Sequence, residues 1–134
     1  MNVSEIQEEL QHMQDELETI MPSDINEAIE RGKTIAAYHA RAGYLLALSK
    51  QLARGKKRSE IGETIINIAK EQYLSARAQN ALVDSIANDE MFLVDWADRI
   101  NSMCTHQIDF LRSIISKEKE EMRISAGFNY GNQR

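Results

Sequence analysis

Apolar residues recur from the start of the chain at alternating steps of four and three: Ile6, Leu10, Met13, Leu17 and Ile20. That spacing draws one stripe along a helix and predicts a first helix from about Ser4 to Ile20. Pro22 ends it, since proline lacks an amide donor and drives the preceding residue out of helical backbone. Ser23, Asp24 and Glu27 then supply the cap and acidic first turn of a second helix, expected from about Asp24 to Ala53. At 100° per residue this helix carries two apolar faces. Ile25, Ile29, Gly32, Ile35, Ala36, His39, Gly43 and Leu46 make the first; Tyr38, Leu45, Leu48 and Leu52 make the second. Two faces require at least two neighbours.

The run Arg54-Gly55-Lys56-Lys57-Arg58-Ser59 combines a glycine stop, a polar turn and a serine able to cap a third helix opening on Glu60 and Glu63. The third helix has the seam Ile61, Ile65, Ile68, Ala76, Val83 and Ile86, interrupted by Gln72 and Gln79, which predicts a partly wet interface. Asn88-Asp89-Glu90 is the expected break before a fourth helix with the seam Leu93, Ala97, Ile100, Cys104, Ile108, Leu111 and Ile115. Phe92, Trp96, Met103, Phe110 and Ile114 form a second stripe on that helix, so it is expected to be central or to carry a subunit interface. Helices two to four are each about 30 residues, or about 45 Å, as matched rods. Beyond Met122 the helical period fades and turn-formers accumulate. The expectation is a single helical domain over 1–124 and a flexible tail over 125–134.

Composition agrees with this pattern. A chain of 134 residues with only six Gly and one Pro fits one domain of long helices. One Cys permits no internal disulfide and no Cys-based zinc cage. With an acidic start unlike a signal peptide, this leads to an expected cytoplasmic, reducing location. No apolar run is long enough for a membrane span. The net charge of -5 hides a segregation: residues 1–30 hold nine acids and no Lys or Arg, whereas residues 31–58 hold eight bases and no acid. Blocks of opposite sign can pair within a fold or face a partner.

Several chemistries can be tested against the spacing. A di-iron bundle needs two Glu-x-x-His pairs, and only Glu9-Leu10-Gln11-His12 fits. His39 lies among apolar positions as an interior histidine, and Cys104 and His106 point about 200° apart. No catalytic set, metal site or cofactor is assigned. Glu60-x-x-Glu63 and Asp95-x-x-Asp98 resemble the paired carboxylates of MazG-type pyrophosphatases, although the second pair begins with Asp. That resemblance implies a magnesium-dependent all-α nucleoside triphosphate pyrophosphatase as an alternative. Arg54, Lys56, Lys57 and Arg58 could straddle phosphates and give a second alternative, nucleic-acid binding at the turn between helices two and three.

The C-terminal third carries another likeness. Cys104-Thr-His-Gln107, followed by the run from Leu111 through Arg112, Ser113, Ser116 and Lys119 to Glu120, resembles the ending of small helical proteins encoded by phages and prophages. The resemblance implies an accessory role in nucleic-acid metabolism. Together these patterns predict an all-α antiparallel bundle of three long helices plus a shorter N-terminal helix. Its expected role is a non-enzymatic interaction or assembly module, forming a homodimer through Phe92, Trp96, Met103, Phe110 and Ile114, with no membrane contact.

Overall fold

The computed structural model describes the backbone of residues 1–132 and the side chains through Gly127. Among the described residues there are five helices and no strand: α1 (Val3–Leu17), α2 (Ile25–Lys57), α3 (Glu60–Glu71), α4 (Ala76–Ile86) and α5 (Asn88–Asn132). Local chemistry sets most of these ends. Asn2 closes a capping box, its side-chain oxygen accepting from the Glu5 amide at 2.9 Å while the Glu5 carboxylate accepts from the Asn2 amide at 3.2 Å. Asp24 accepts from the Asn26 and Glu27 amides, both at 3.1 Å, and starts α2. Ser59 and Ser75 cap α3 and α4 in the same way.

The all-α expectation holds, and so does the antiparallel bundle. α5 runs against α2: Glu90 lies beside Lys56, Asn101 beside Gly43, and Leu111 beside Gly32. α1 lies antiparallel to α2, with Glu9 on Arg41 and His12 against Tyr38, and parallel to α5. The core is the meeting of these three helices. Ile6, Leu10, Met13 and Leu17 of α1 and Leu93, Ala97, Ile100, Cys104 and Leu111 of α5 are all buried, as their 4-3 spacing requires. α2 reaches both neighbours. Its Gly32, His39 and Gly43 side faces α5, and its Tyr38 side faces α1.

The structure corrects the expected elements in several places. α1 stops at Leu17, leaving Ile20 almost wholly exposed in the connection to α2. The buried stripe of α2 is Ala28, Ile35, Ala42, Leu45, Ser49 and Ala53, which runs between the two expected faces and joins them into one arc. Ile29 and Ala36 lie outside it. α2 also continues past Ala53 and Gly55 to Lys57. Isolated glycine does not stop a helix whose last turn is anchored, here by Lys56 on Glu90 and Lys57 on Asp84.

The third rod is two helices rather than one. α3 ends in a Schellman turn, with the Leu74 amide donating to the Ala69 carbonyl and the Tyr73 amide to the Lys70 carbonyl, each at 3.0 Å. Tyr73 takes the left-handed position at φ 57°, where glycine is usual. The break expected at Asn88 is present, since α4 stops at Ile86. α5 does not stop near Met122. Its backbone stays helical through Ser125 to Asn132, because no proline intervenes and charged residues with high helix propensity lead into it. Residues 133–134 of the expected tail lie outside the described residues. Extrapolating the pairing with α2 places the end of that partner near residue 118 of α5. Residues 121–127 are accordingly exposed throughout.

Candidate interaction surfaces

The α3–α4 hairpin buries little of its own aliphatic surface. Its buried residues are small or modest: Gly62, Ala69 and Val83. Four of its large aliphatic residues are outside, with Ile61 63% and Ile68 53% exposed and Leu74 and Leu82 about 40%, while Ile65, Ile66 and Ile86 are half-buried. The expected seam through Ile61 and Ile68 is therefore displaced toward Gly62 and Ala69. The cause is the close approach of α3 to the end of α2: a Cβ at Gly62 would stand 2.2 Å from the Lys57 carbonyl oxygen. Only glycine permits that crossing, and it turns the flanking isoleucines outward. At the tip, Tyr73 is 95% exposed in its left-handed conformation.

The basic turn is partly neutralised by the fold. Lys56 Nζ lies 3.3 Å from Glu90 Oε1, and Glu90 is buried at the start of α5. Lys57 Nζ lies 2.9 Å from Asp84 of α4. These two cations therefore tie the end of α2 to the helices that follow it. Arg54 and Arg58 remain exposed. Elsewhere in the basic block, Arg41 makes a bidentate pair with Glu9, Lys33 meets Glu30, and Arg31 bonds the Thr19 hydroxyl and the Glu16 carbonyl. Burial without a second bond leaves Glu90 Oε2 unpartnered, as it does the hydroxyl of Ser49.

The aromatic stripe of α5 divides in two. Trp96, Met103 and Ile114 are half-buried against the core, and the Trp96 indole N–H donates to Gln14 Oε1 at 3.1 Å. Phe92 and Phe110 form its outer edge, each more than half exposed. The Phe92 ring sits 5.6 Å from Trp96. Eighteen residues separate the two phenylalanines, about 27 Å along the helix.

Carboxylates and histidines do not assemble into a reactive group. Glu60 and Glu63 occupy the first turn of α3, and Asp95 and Asp98 lie exposed on α5. Among the described residues no three His, Cys, Asp or Glu side chains come together as metal ligands, so the two acidic pairs do not converge. Glu9 is taken by Arg41, and His12 stands edge-on to Tyr38, its Nε2 3.5 Å from the phenol oxygen. His39 is half-buried and its carbonyl accepts from Asn101 at 3.1 Å. Cys104 is a buried free thiol, and burial pushes its pKa up, away from reactive thiolate. No helix among the described residues is long and apolar enough to cross a membrane.

Comparison with protein families, curated proteins and solved structures finds no match. The surfaces themselves therefore carry the functional reading. Sequence reasoning did not find the hairpin face. The one local signal for its turn was Ser75, a good helix cap three residues before the Ala78 amide it accepts from.

Proposed function

We propose that this chain is a non-enzymatic helical assembly module that self-associates through its α3–α4 hairpin. The observation that carries this reading is the hairpin's exposed aliphatic edge: its fully buried residues are only Gly62, Ala69 and Val83, and Ile61, Ile68, Leu74 and Leu82 stand outside. Burying an aliphatic side chain fully yields about 1.5–3 kcal/mol, and roughly half of that is unrealised at each of these positions in a single chain. A second hairpin offers a matching surface, and a two-fold pair gains every contact twice. Two such hairpins together make a four-helix arrangement of the kind that hides aliphatic faces from water. Phe92 and Phe110 add a separate exposed apolar edge on α5.

A phage or prophage accessory role is supported by the C-terminal run from Cys104 to Glu120, and a cytoplasmic location by a single cysteine kept as a buried thiol. Nucleic-acid contact at the basic turn draws less support, because Lys56 and Lys57 already hold Glu90 and Asp84.

Sedimentation velocity over a concentration series tests the proposal. The wild-type chain is expected to show reversible self-association, and Ile61→Lys/Ile68→Lys to sediment as a monomer with unchanged helical circular dichroism. A wild-type chain that stays monomeric at every concentration, or a double variant that associates as strongly, overturns it.

A further inference from the structure

A second surface is set apart by charge rather than by apolar area. Lys50, Arg54 and Lys57 follow one another at four and three residues along the end of α2. With Ala53, and Met91 and Val94 of α5, they line a shallow groove of about 220 Å³. Lys50 and Arg54 are exposed, while Lys57 reaches Asp84. The groove thus has an apolar floor and a cationic wall on a molecule whose overall charge is -5.

The same chain carries a surface of opposite sign. The outward row of α1 is Ser4, Glu8, Gln11 and Asp15, all exposed, with the Gln11 amide donating to Asp15 at 2.8 Å. Glu9, half-buried, is the α1 acid that pairs with the basic block, through Arg41. Glu8, Asp15 and their neighbours Glu5 and Glu16 are left facing water. Glu8 to Asp15 is one heptad, about 10.5 Å along the helix, and the exposed Lys50 and Arg54 are about 6 Å apart on theirs, each on a long flexible stem.

We infer that the groove at the end of α2 receives α1 of a second copy, setting Glu8 and Asp15 against the exposed Lys50 and Arg54. Acidic row and basic groove lie on one chain, so a two-fold pair makes the contact twice and leaves neither surface over. Opposed charges fix register and partner choice, while the apolar floor of Ala53, Met91 and Val94 excludes water beneath them. The inference deepens the self-association read from the hairpin and uses different residues. Its failure and that of the hairpin reading are therefore separable.

The test is a charge swap followed by sedimentation equilibrium of the full chain. Wild type is expected to associate at least about tenfold more weakly in 0.5 M than in 0.05 M salt. Lys50→Glu/Arg54→Glu and Glu8→Lys/Asp15→Lys are each expected to lose association alone and to recover it when mixed, forming the mixed dimer. Circular dichroism confirms that both variants fold. Failure of the mixture to associate, or salt-independent association, overturns the inference, as does a wild-type chain that is monomeric throughout. If Ile61→Lys/Ile68→Lys abolishes association while both charge variants keep it, the hairpin reading stands and this one falls. If Lys50→Glu/Arg54→Glu loses binding to a single-stranded oligonucleotide without changing sedimentation, the groove takes nucleic-acid phosphate and the inference is also overturned.

Discussion

Gly62→Ala isolates the crossing that presents the hairpin. In an ordinary helix this replacement stabilises by about 1 kcal/mol, because alanine has the higher helix propensity. Here the new methyl would lie 2.2 Å from the Lys57 carbonyl oxygen and 3.0 Å from its carbon. Both atoms are backbone, so neither can rotate aside, and the whole first turn of α3 must withdraw by most of an ångström. Overpacking of this kind costs about 1–3 kcal/mol, and a backbone obstacle belongs at the upper end. Set against the propensity gain, the expected net loss is about 2 kcal/mol. Gly55→Ala is the internal control, since nothing lies within 4 Å of its added Cβ, and it should stabilise by about 1 kcal/mol. Urea unfolding followed by circular dichroism, at a concentration where the chain is monomeric, measures both, with amide exchange over α3 reporting local opening. A Gly62→Ala chain as stable as wild type, with α3 amides equally protected, would refute the close approach and its role in turning Ile61 and Ile68 outward.

Other expectations follow from the same geometry. Tyr73→Gly should stabilise by about 0.5–1 kcal/mol in thermal unfolding, since a left-handed residue costs a non-glycine about 1–2 kcal/mol and the exposed ring contributes little packing. Lys56→Ala should lower the urea midpoint by an amount equal to about 1–3 kcal/mol by stranding the buried Glu90 carboxylate, with Lys56→Ala/Glu90→Gln recovering part of the loss. Burial raises the Cys104 pKa in the folded chain, so the unfolded chain releases that proton first as pH rises past the ordinary thiol value of about 8.5. Its contribution is complete below that pH and is lost toward the higher folded value, so Cys104→Ala should flatten the alkaline fall in unfolding free energy. The same burial should keep Cys104 slow toward a disulfide reagent at neutral pH until denaturant is added.

How much of the fold could be read from residue order depended on which term dominated at each place. α1 and the middle of α5 were legible because large aliphatic residues at 4-3 spacing coincide there with the buried stripe, from Ile6 to Leu17 and from Leu93 to Leu111. α2 was legible as a helix with two neighbours, but its seam was not. Ala28, Ala42 and Ser49 are buried by the close passage of α5 and α1, and small residues carry little hydrophobic weight in a periodicity argument. The turn between α3 and α4 was hidden for a different reason. It has neither glycine nor proline, and its left-handed position is filled by Tyr73, which reads as a helix or strand residue. Of the proposed surface residues, Phe92 and Phe110 were visible as a second stripe. Lys56 and Lys57 were seen as cations, while their pairing with Glu90 and Asp84 arises only once α4 and α5 come back to the end of α2.

The docking of α1 has a consequence for synthesis on the ribosome. Its two polar ties to α5, Trp96 to Gln14 and Gln107 to the Leu17 carbonyl, link positions 82 and 90 residues apart. At about 5–20 residues per second, α1 waits several seconds for α5 before its oily side can be covered. Until then Ile6, Leu10, Met13 and Leu17 have only the nascent α2 to lean on. A ribosome paused before α5 is made would therefore hold α1 with its oily side open to chaperones.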